Sequence, residues 1–224
     1  MKKNLTPILV ALGILAVIVF VVFALTRPTS ETSQNSDSPT SVNPTAEQQK
    51  QIVSGANRKG PANAKVVVTE FGDFQCPACG EFEKELNASI LPKYGNSINF
   101  VFKHLPLSQI HNNALSAAYA SEAAANQGKF WEMHDKLYAT QTEWSELSDP
   151  QPKYDSFAAA IGLNVSKFKA DMNTSAVKAR VSADNKLADT LKLPGTPSFF
   201  VNGVFVTANT VTELSNAIDK ALAQ

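Results

Sequence analysis

Thiols and imidazoles are scarce in this chain: its 224 residues include two cysteines and three histidines. That excludes a disulfide-rich scaffold and any zinc centre built on paired C-x2-C motifs. Net charge is missing as well, because 20 basic and 20 acidic side chains cancel. A general nucleic-acid binder needs a basic face to neutralise phosphates, so no nucleic-acid partner is expected. Charged residues make up 18% and hydrophobic residues 44% of the chain, a globular balance. The length suits one medium domain with additions, and no internal repeat is apparent.

Behind Lys2 and Lys3 lies an uncharged apolar run, Ile8 to Leu25. As a helix these 18 residues would rise about 27 Å, close to the hydrocarbon thickness of a bilayer. Cleavable signal peptides carry shorter apolar stretches. Residues 1–25 are therefore read as a signal-anchor, spanning the membrane once through residues 8–25. Val22-Phe23-Ala24 offers a weak cleavage site as the alternative. In either case the two lysines hold the N-terminus in the cytoplasm, which places the remainder on the extracytoplasmic, periplasmic or extracellular side. Residues 26–55 are read as a flexible Ser/Thr/Pro-rich stalk, poor in aromatic and aliphatic side chains and so unable to offset its ordering entropy. A short helix is expected within it, over Ala46 to Val53.

The folded domain is expected over 56–224. Lys65 to Phe71 reads as a buried strand, Pro77 to Leu91 as a helix and Ser97 to Lys103 as a second strand, a βαβ opening. Helical patterns follow at Asn113–Gln127, Phe130–Thr140, Ser156–Ile161, Val165–Met172 and Ser175–Leu193. Ser198–Val201 and Val204–Val206, joined at Asn202-Gly203, make a hairpin. Thr210 with Glu213 forms a capping box for a last helix. The fold class is thus α/β, with a helical block inserted over about 108–193.

Both cysteines fall in one C-x-x-C, Cys76-Pro77-Ala78-Cys79. A bridge across three residues constrains almost no chain, so the spacing suits chemistry better than stability. At a helix N-terminus the free N–H groups and the dipole would stabilise a Cys76 thiolate, and Pro77 suits the first turn. Cys79, one turn deeper, is placed to attack a mixed disulfide at Cys76. The rival reading completes a copper or zinc site with His104, His111 or His134. Strand alternation puts Val66, Val68 and Glu70 on one face; a carboxyl among valines should have a raised pKa and could take a thiol proton. Lys103 is a candidate partner for it, and a solvent-facing strand end is the alternative. Phe71, Phe74, Phe199, Phe200, Trp131 and Trp144 read as packing residues, and Asp73 as a turn residue.

Four stretches carry a resemblance: Val67–Cys79, Phe102–Leu107, Gly128–Leu137 and Gly195–Gly203. Together they resemble the DsbA-like branch of the thioredoxin superfamily, in particular its membrane-anchored bacterial envelope members, over roughly Lys65 to Leu222. The resemblance implies a thioredoxin fold with an inserted helical subdomain and thiol–disulfide oxidoreductase activity, with no cofactor beyond the cysteine pair and no metal. It assigns Cys76 as nucleophile, Cys79 as resolving thiol and Glu70 as the acid beneath the disulfide. Thr196 and Pro197 match the family's cis-proline loop, which contacts substrate. The active-site turn, Pro77-Ala78, lacks the histidine of the best-known oxidases, which leaves the direction of electron flow open.

The expected function is donation of the Cys76–Cys79 disulfide to reduced or misoxidised secreted proteins, with a membrane redox partner recycling the pair. A reductase or isomerase of the same fold, a metallochaperone and a redox-inert binding module are the rivals.

Overall fold

The computed structural model describes residues 42–224. The expected membrane segment at 8–25 and the stalk as far as residue 41 lie outside the described residues. Among those described, no helix is long and apolar enough to cross a membrane.

β-branched and aromatic residues build the centre of the molecule. Val66–Gly72 forms β2 and Ile98–His104 forms β3, following a two-residue edge strand β1 at Arg58–Lys59. All of β3, and all of β2 except Val67, is buried, which such runs require when both faces of a sheet are covered. Ser198–Val201 and Val204–Val206 add the hairpin strands β4 and β5. The sheet order is β1-β3-β2-β4-β5; β2 and β3 run parallel and the other pairings are antiparallel. β1 is the strand that sequence patterning missed, since two half-buried basic residues carry no strand signal.

Helices cover both faces. On one, Val66, Val68, Ile98, Phe100 and Phe199 pack beneath Leu86, Ile90, Leu214 and Ile218. Pro77–Glu85 is α2, and it continues through a π-turn at Leu86–Ile90 into α3, Leu91–Tyr94. The helix therefore runs past its expected end at Leu91. Pro92 has no N–H and would clash with the carbonyl four residues back, and the widened turn before it absorbs that conflict. On the other face Phe71, Leu105 and Phe200 meet Ile52, Ala188 and Leu191. Ile52 belongs to α1, Ala46–Val53, which has a complete capping box at Thr45 and Gln48. Ile52 is fully buried, and its carbonyl accepts a 3.1 Å hydrogen bond from Thr69 Oγ1. Ordered structure thus reaches upstream of the stalk boundary expected at 55, because Val42 and Ile52 supply apolar area that composition averaged away.

The inserted block comprises α4 (Ala114–Ala125), α5 (Phe130–Ala139), α6 (Gln141–Trp144), α7 (Gln151–Ala160), α8 (Val165–Met172) and α9 (Ser175–Leu191). α10, Val211–Leu222, closes the fold behind the expected Thr210–Glu213 capping box. α7 begins five residues earlier than expected, with Pro152 in its first turn. The block has its own core, including Met133, Leu137, Trp144, Tyr154, Phe157 and Phe168, which Phe74 and Phe102 join to the sheet.

A buried acid ties the two parts together. Glu122, on α4, accepts from Asn57 Nδ2 at 2.6 Å and from the Arg180 guanidinium, and bonds His104 Nε2 at 3.0 Å. Burial alone would push its pKa up, but the hydrogen bond and charge of His104, then Arg180 and Asn57, bring it down to about 2. A carboxylate whose pKa falls on folding stabilises above its unfolded value and loses that contribution as pH falls through the folded one. We expect Glu122→Gln to destabilise by about 2–3 kcal/mol at pH 7, the order set by the shift. In urea titrations the gap to wild type should narrow as pH drops from 5 towards 2; a gap that stays constant would argue against the ionised hub.

Candidate active site

The chain reverses sharply between β2 and α2, and the reversal is hydrogen-bonded throughout. Asp73 Oδ1 accepts from Gln75 N at 2.8 Å, and its backbone carbonyl accepts from Cys76 N at 3.1 Å. Cys76 is then the N-cap of α2 with no side-chain cap of its own, and Pro77 occupies the first turn. The orphan N–H groups of that turn therefore face the Cys76 sulfur. Both cysteines are free thiols; Cys76 is 7% exposed and Cys79 fully buried, while Pro77 and Ala78 are exposed.

Their acidities are pushed apart. A hydrogen bond from the Cys79 thiol lowers the Cys76 pKa most, Thr196 and the backbone N–H groups of Cys79 and Ala78 add to it, and desolvation opposes them. The net result is about 5. Ala78 thus contributes through its amide although it has no donor side chain. Cys79 moves well up, first by burial, then by its bond to Cys76 and the charges of Glu70 and Cys76. At pH 7 the pair carries one thiolate, on Cys76, and one thiol.

The loop before β4 lies against the nucleophile. The Thr196–Pro197 peptide is cis, and the Thr196 carbonyl stands 3.5 Å from Cys76 Sγ. Glu70 sits on β2 opposite Phe102 and Phe199, 2% exposed. Burial raises its pKa well above the carboxylate range, with the charges of Glu83 and Cys76 adding to it. The solvent-facing alternative for Glu70 is thereby set aside. Lys103 does not pair with it: Lys103 is opposite Phe71, so alternation turns it to the other face, where it meets Asp184 at 2.9 Å.

Several loop-bracing contacts escaped the sequence reading, in which Asp73 was a turn residue and no more. Asp73 Oδ2 accepts from Leu107 N at 3.0 Å and contacts His111 Nδ1 at 2.7 Å. Gln75 Oε1 accepts from Asn113 N and its Nε2 donates to the Ser145 carbonyl. Gln141 Nε2, on α6, donates to the carbonyls of Phe74 and Cys76 at 2.7 and 2.9 Å. A methyl group on Gly80 would lie 2.9 Å from Gln141 Oε1, so glycine there lets this amide close over the loop. The turn role read for Asp73 holds, as an Asx-turn to Gln75, but its contacts with Leu107 and His111 lie 34 and 38 residues away and have no local signal. Gln141 and Asn113 act across the fold and leave no local signal.

Each histidine is engaged by a carboxylate: His104 by Glu122, His111 by Asp73 and His134 by Asp135. Among the described residues, the donor atoms that converge in the manner of a metal site are those of Glu83, His134 and Asp135, without either cysteine. A shared site of Cys76, Cys79 and a histidine, the basis of the metallochaperone rival, is therefore not assembled.

A family model described as Thioredoxin matches residues 53–220. The chain belongs to that family, and its fold is shared with solved thiol–disulfide exchange proteins. The structure of Wolbachia pipientis alpha-DsbA1 is similar with a TM-score of 0.68 at 22% identity, covering 79% of this chain and 96% of that one. A thioredoxin-like oxidoreductase from Silicibacter pomeroyi DSS-3 is similar with a TM-score of 0.63 at 27% identity, covering 75% and 93%. Among curated proteins, Na(+)/H(+) antiporter NhaA 3 of Salinispora tropica is 39% identical over 145 residues, 65% of this chain and 21% of the antiporter. The chain thus spans about a fifth of the length of that relative.

Two expectations follow. Thiolate absorbance of the reduced protein should titrate near pH 5, with the second thiol silent below pH 9. Glu70→Gln should slow Cys79-dependent release of a preformed mixed disulfide at Cys76 by about a hundred-fold, the scale of general-base catalysis. Unchanged release kinetics would remove Glu70 from the proton path.

Proposed function

We propose that this protein donates the Cys76–Cys79 disulfide to reduced secreted or envelope proteins. The observation that carries the reading is the divergence of the two thiols, Cys76 down to about 5 and Cys79 well up. A thiolate stable at neutral pH favours the reduced form of the pair. Against an ordinary thiol, ionisation between pH 5 and 7 contributes about 3 kcal/mol, or about 60 mV towards a more oxidising couple.

In the forward direction a client thiolate attacks Cys76 Sγ and the Cys76–Cys79 bond breaks. Cys79 leaves with the electron pair and takes a proton from the Glu70 carboxyl. A second client thiolate then attacks the client sulfur of the mixed disulfide, releasing Cys76 as a thiolate. The client loses two electrons to the cysteine pair, which a membrane redox partner takes up in the next cycle. The low Cys76 pKa assists the second step, since a more acidic thiol leaves faster. Thr196, before the cis-proline, offers its backbone to an extended client segment. We further propose that residues 8–25 anchor the chain in the membrane with this domain on the extracytoplasmic side.

The test is equilibration of the pair against glutathione. A couple more oxidising than glutathione supports donation, and scrambled-RNase turnover then separates an isomerase from an oxidase. A potential as low as thioredoxin's overturns the direction and makes the protein a reductase. Cys76→Ala should abolish exchange in either direction, and retained turnover would sink the thiol mechanism. Cys79→Ala has no disulfide to donate and should lose oxidation of reduced clients, while its Cys76 thiolate should accumulate as a mixed disulfide with clients supplied already oxidised.

A further inference from the structure

Tyr138, near the end of α5, is buried, and its hydroxyl has no hydrogen-bond partner among the described residues. The other two buried tyrosines are treated differently. Tyr94 donates to the Ser215 carbonyl at 2.8 Å and to Asp219 at 2.9 Å, and the Tyr154 hydroxyl bonds that of Ser116 at 3.2 Å. A phenol buried without a partner costs free energy that phenylalanine in its place would not. Such an orphan points to a role in a state other than the resting one.

The surroundings of the hydroxyl identify that state. α5 packs against α2, and Tyr138 belongs to one packed cluster with Phe74, Cys76 and Cys79. Its ring centre lies 5.0 Å from that of Phe74, whose carbonyl Gln141 holds at 2.7 Å. Burial pushes the Tyr138 pKa well up; the charge of Cys79 adds most to this, followed by those of Glu70, Glu83 and Asp73. The phenol is thus a donor that keeps its proton, set among the groups of the resolving thiol. In the disulfide neither sulfur is charged, and in the reduced pair the charge is on Cys76. Cys79 carries charge only between these states, after the bond to Cys76 has broken and before its sulfur is protonated.

We propose that the Tyr138 hydroxyl is the donor that meets Cys79 Sγ while that sulfur carries charge. The proposal rests on the thiol–disulfide reading and adds a residue to it. A client thiolate forms its bond to Cys76 Sγ, the Cys76–Cys79 bond breaks and the electron pair goes to Cys79 Sγ. The Tyr138 O–H donates a hydrogen bond to that sulfur without giving up its proton, and the Glu70 carboxyl then protonates the sulfur. In the return direction the same bond forms when Glu70 takes the Cys79 proton and Cys79 attacks. A hydrogen bond absent from both end states lowers the barrier equally in each direction and leaves the reduction potential where it was.

The test is Tyr138→Phe in the full chain, which removes the hydroxyl and keeps the ring. In single-turnover experiments the oxidised variant should oxidise a dithiol peptide about ten-fold or more slowly than wild type, the scale of one hydrogen bond to a charged group. Cys79-dependent release of a preformed mixed disulfide at Cys76 should slow by the same factor. The potential against glutathione and the rate of Cys76 alkylation should not change, and the urea midpoint should equal or exceed that of wild type. With Cys79→Ala as background, release of the mixed disulfide by added glutathione should be equally fast with either residue at position 138. Unchanged rates in the first two measurements overturn the proposal. So does a slowing that persists without Cys79, or one accompanied by altered Cys76 alkylation, since the ring would then be positioning the loop. A protein that exchanges with glutathione but is indifferent to Tyr138→Phe loses only this donor. One that does not exchange at all loses the redox reading and the donor with it.

Discussion

The site depends on keeping a single sulfur anion stable where little water reaches it. Cys76 is 7% exposed, and desolvation works against its charge. What reverses the balance is a set of short-range donors, the Cys79 thiol and the first free amides of α2. These act only if Cys76 is the N-cap and the helix begins immediately behind it. Pro77 starts the helix at the right residue and has no N–H to leave unpaired. A shift of one residue would aim the same amides past the sulfur.

That demand for position explains why so many polar side chains converge on a loop of four residues. Asp73 holds the turn from within, Gln75 and Asn113 secure its side, and Gln141 grips two of its carbonyls. Asn113 lies at the start of the inserted helical block and Gln141 within it. The insertion is thus more than a cover for the sheet, since it supplies the far half of the hydrogen bonds that fix the nucleophile. Glu122 serves the same end at longer range, joining α4 to β3 and α9 through one buried carboxylate. A loop fixed on one side only would let the thiolate drift from its donors, so the helices behind it must be held as well.

How far the sequence was legible follows from the range of each interaction. β2, β3, the hairpin and the last helix were readable because alternation, turn residues and a capping box are local signals. Cys76, Pro77 and Cys79 were readable for the same reason, and Glu70 through strand parity. The pairing of Lys103 was not, although the same parity rule that placed Glu70 among valines turns Lys103 to the opposite face. β1 and α6 were missed because two and four residues hold too little periodicity to register. The docking of α1 was hidden by a polar composition in which Ile52 alone is fully buried. Gln141 shows the limit most clearly: its partners lie 67 and 65 residues away, and nothing near it in the chain announces them.

The asymmetry between the two sulfurs has one further consequence for the proposed direction. An ordinary thiol has a pKa near 8.5, about three units or more above that of Cys76. In a mixed disulfide between the two, Cys76 is therefore the better leaving group, and its thiolate is the weaker nucleophile for the return attack. Cys79 does not restore the balance by itself, since its proton is held by burial and by the negative charges around it. It attacks only when a neighbouring base takes that proton, and Glu70 is the buried acid whose charge acts on it. Because burial raises the Glu70 pKa, it can supply a proton to Cys79 as a leaving thiolate, and once it has given that proton up it is the base for the return attack. The proton path serves both directions, and it is the thiolate chemistry at Cys76 that favours the proposed one, in which the disulfide passes from the cysteine pair to the client.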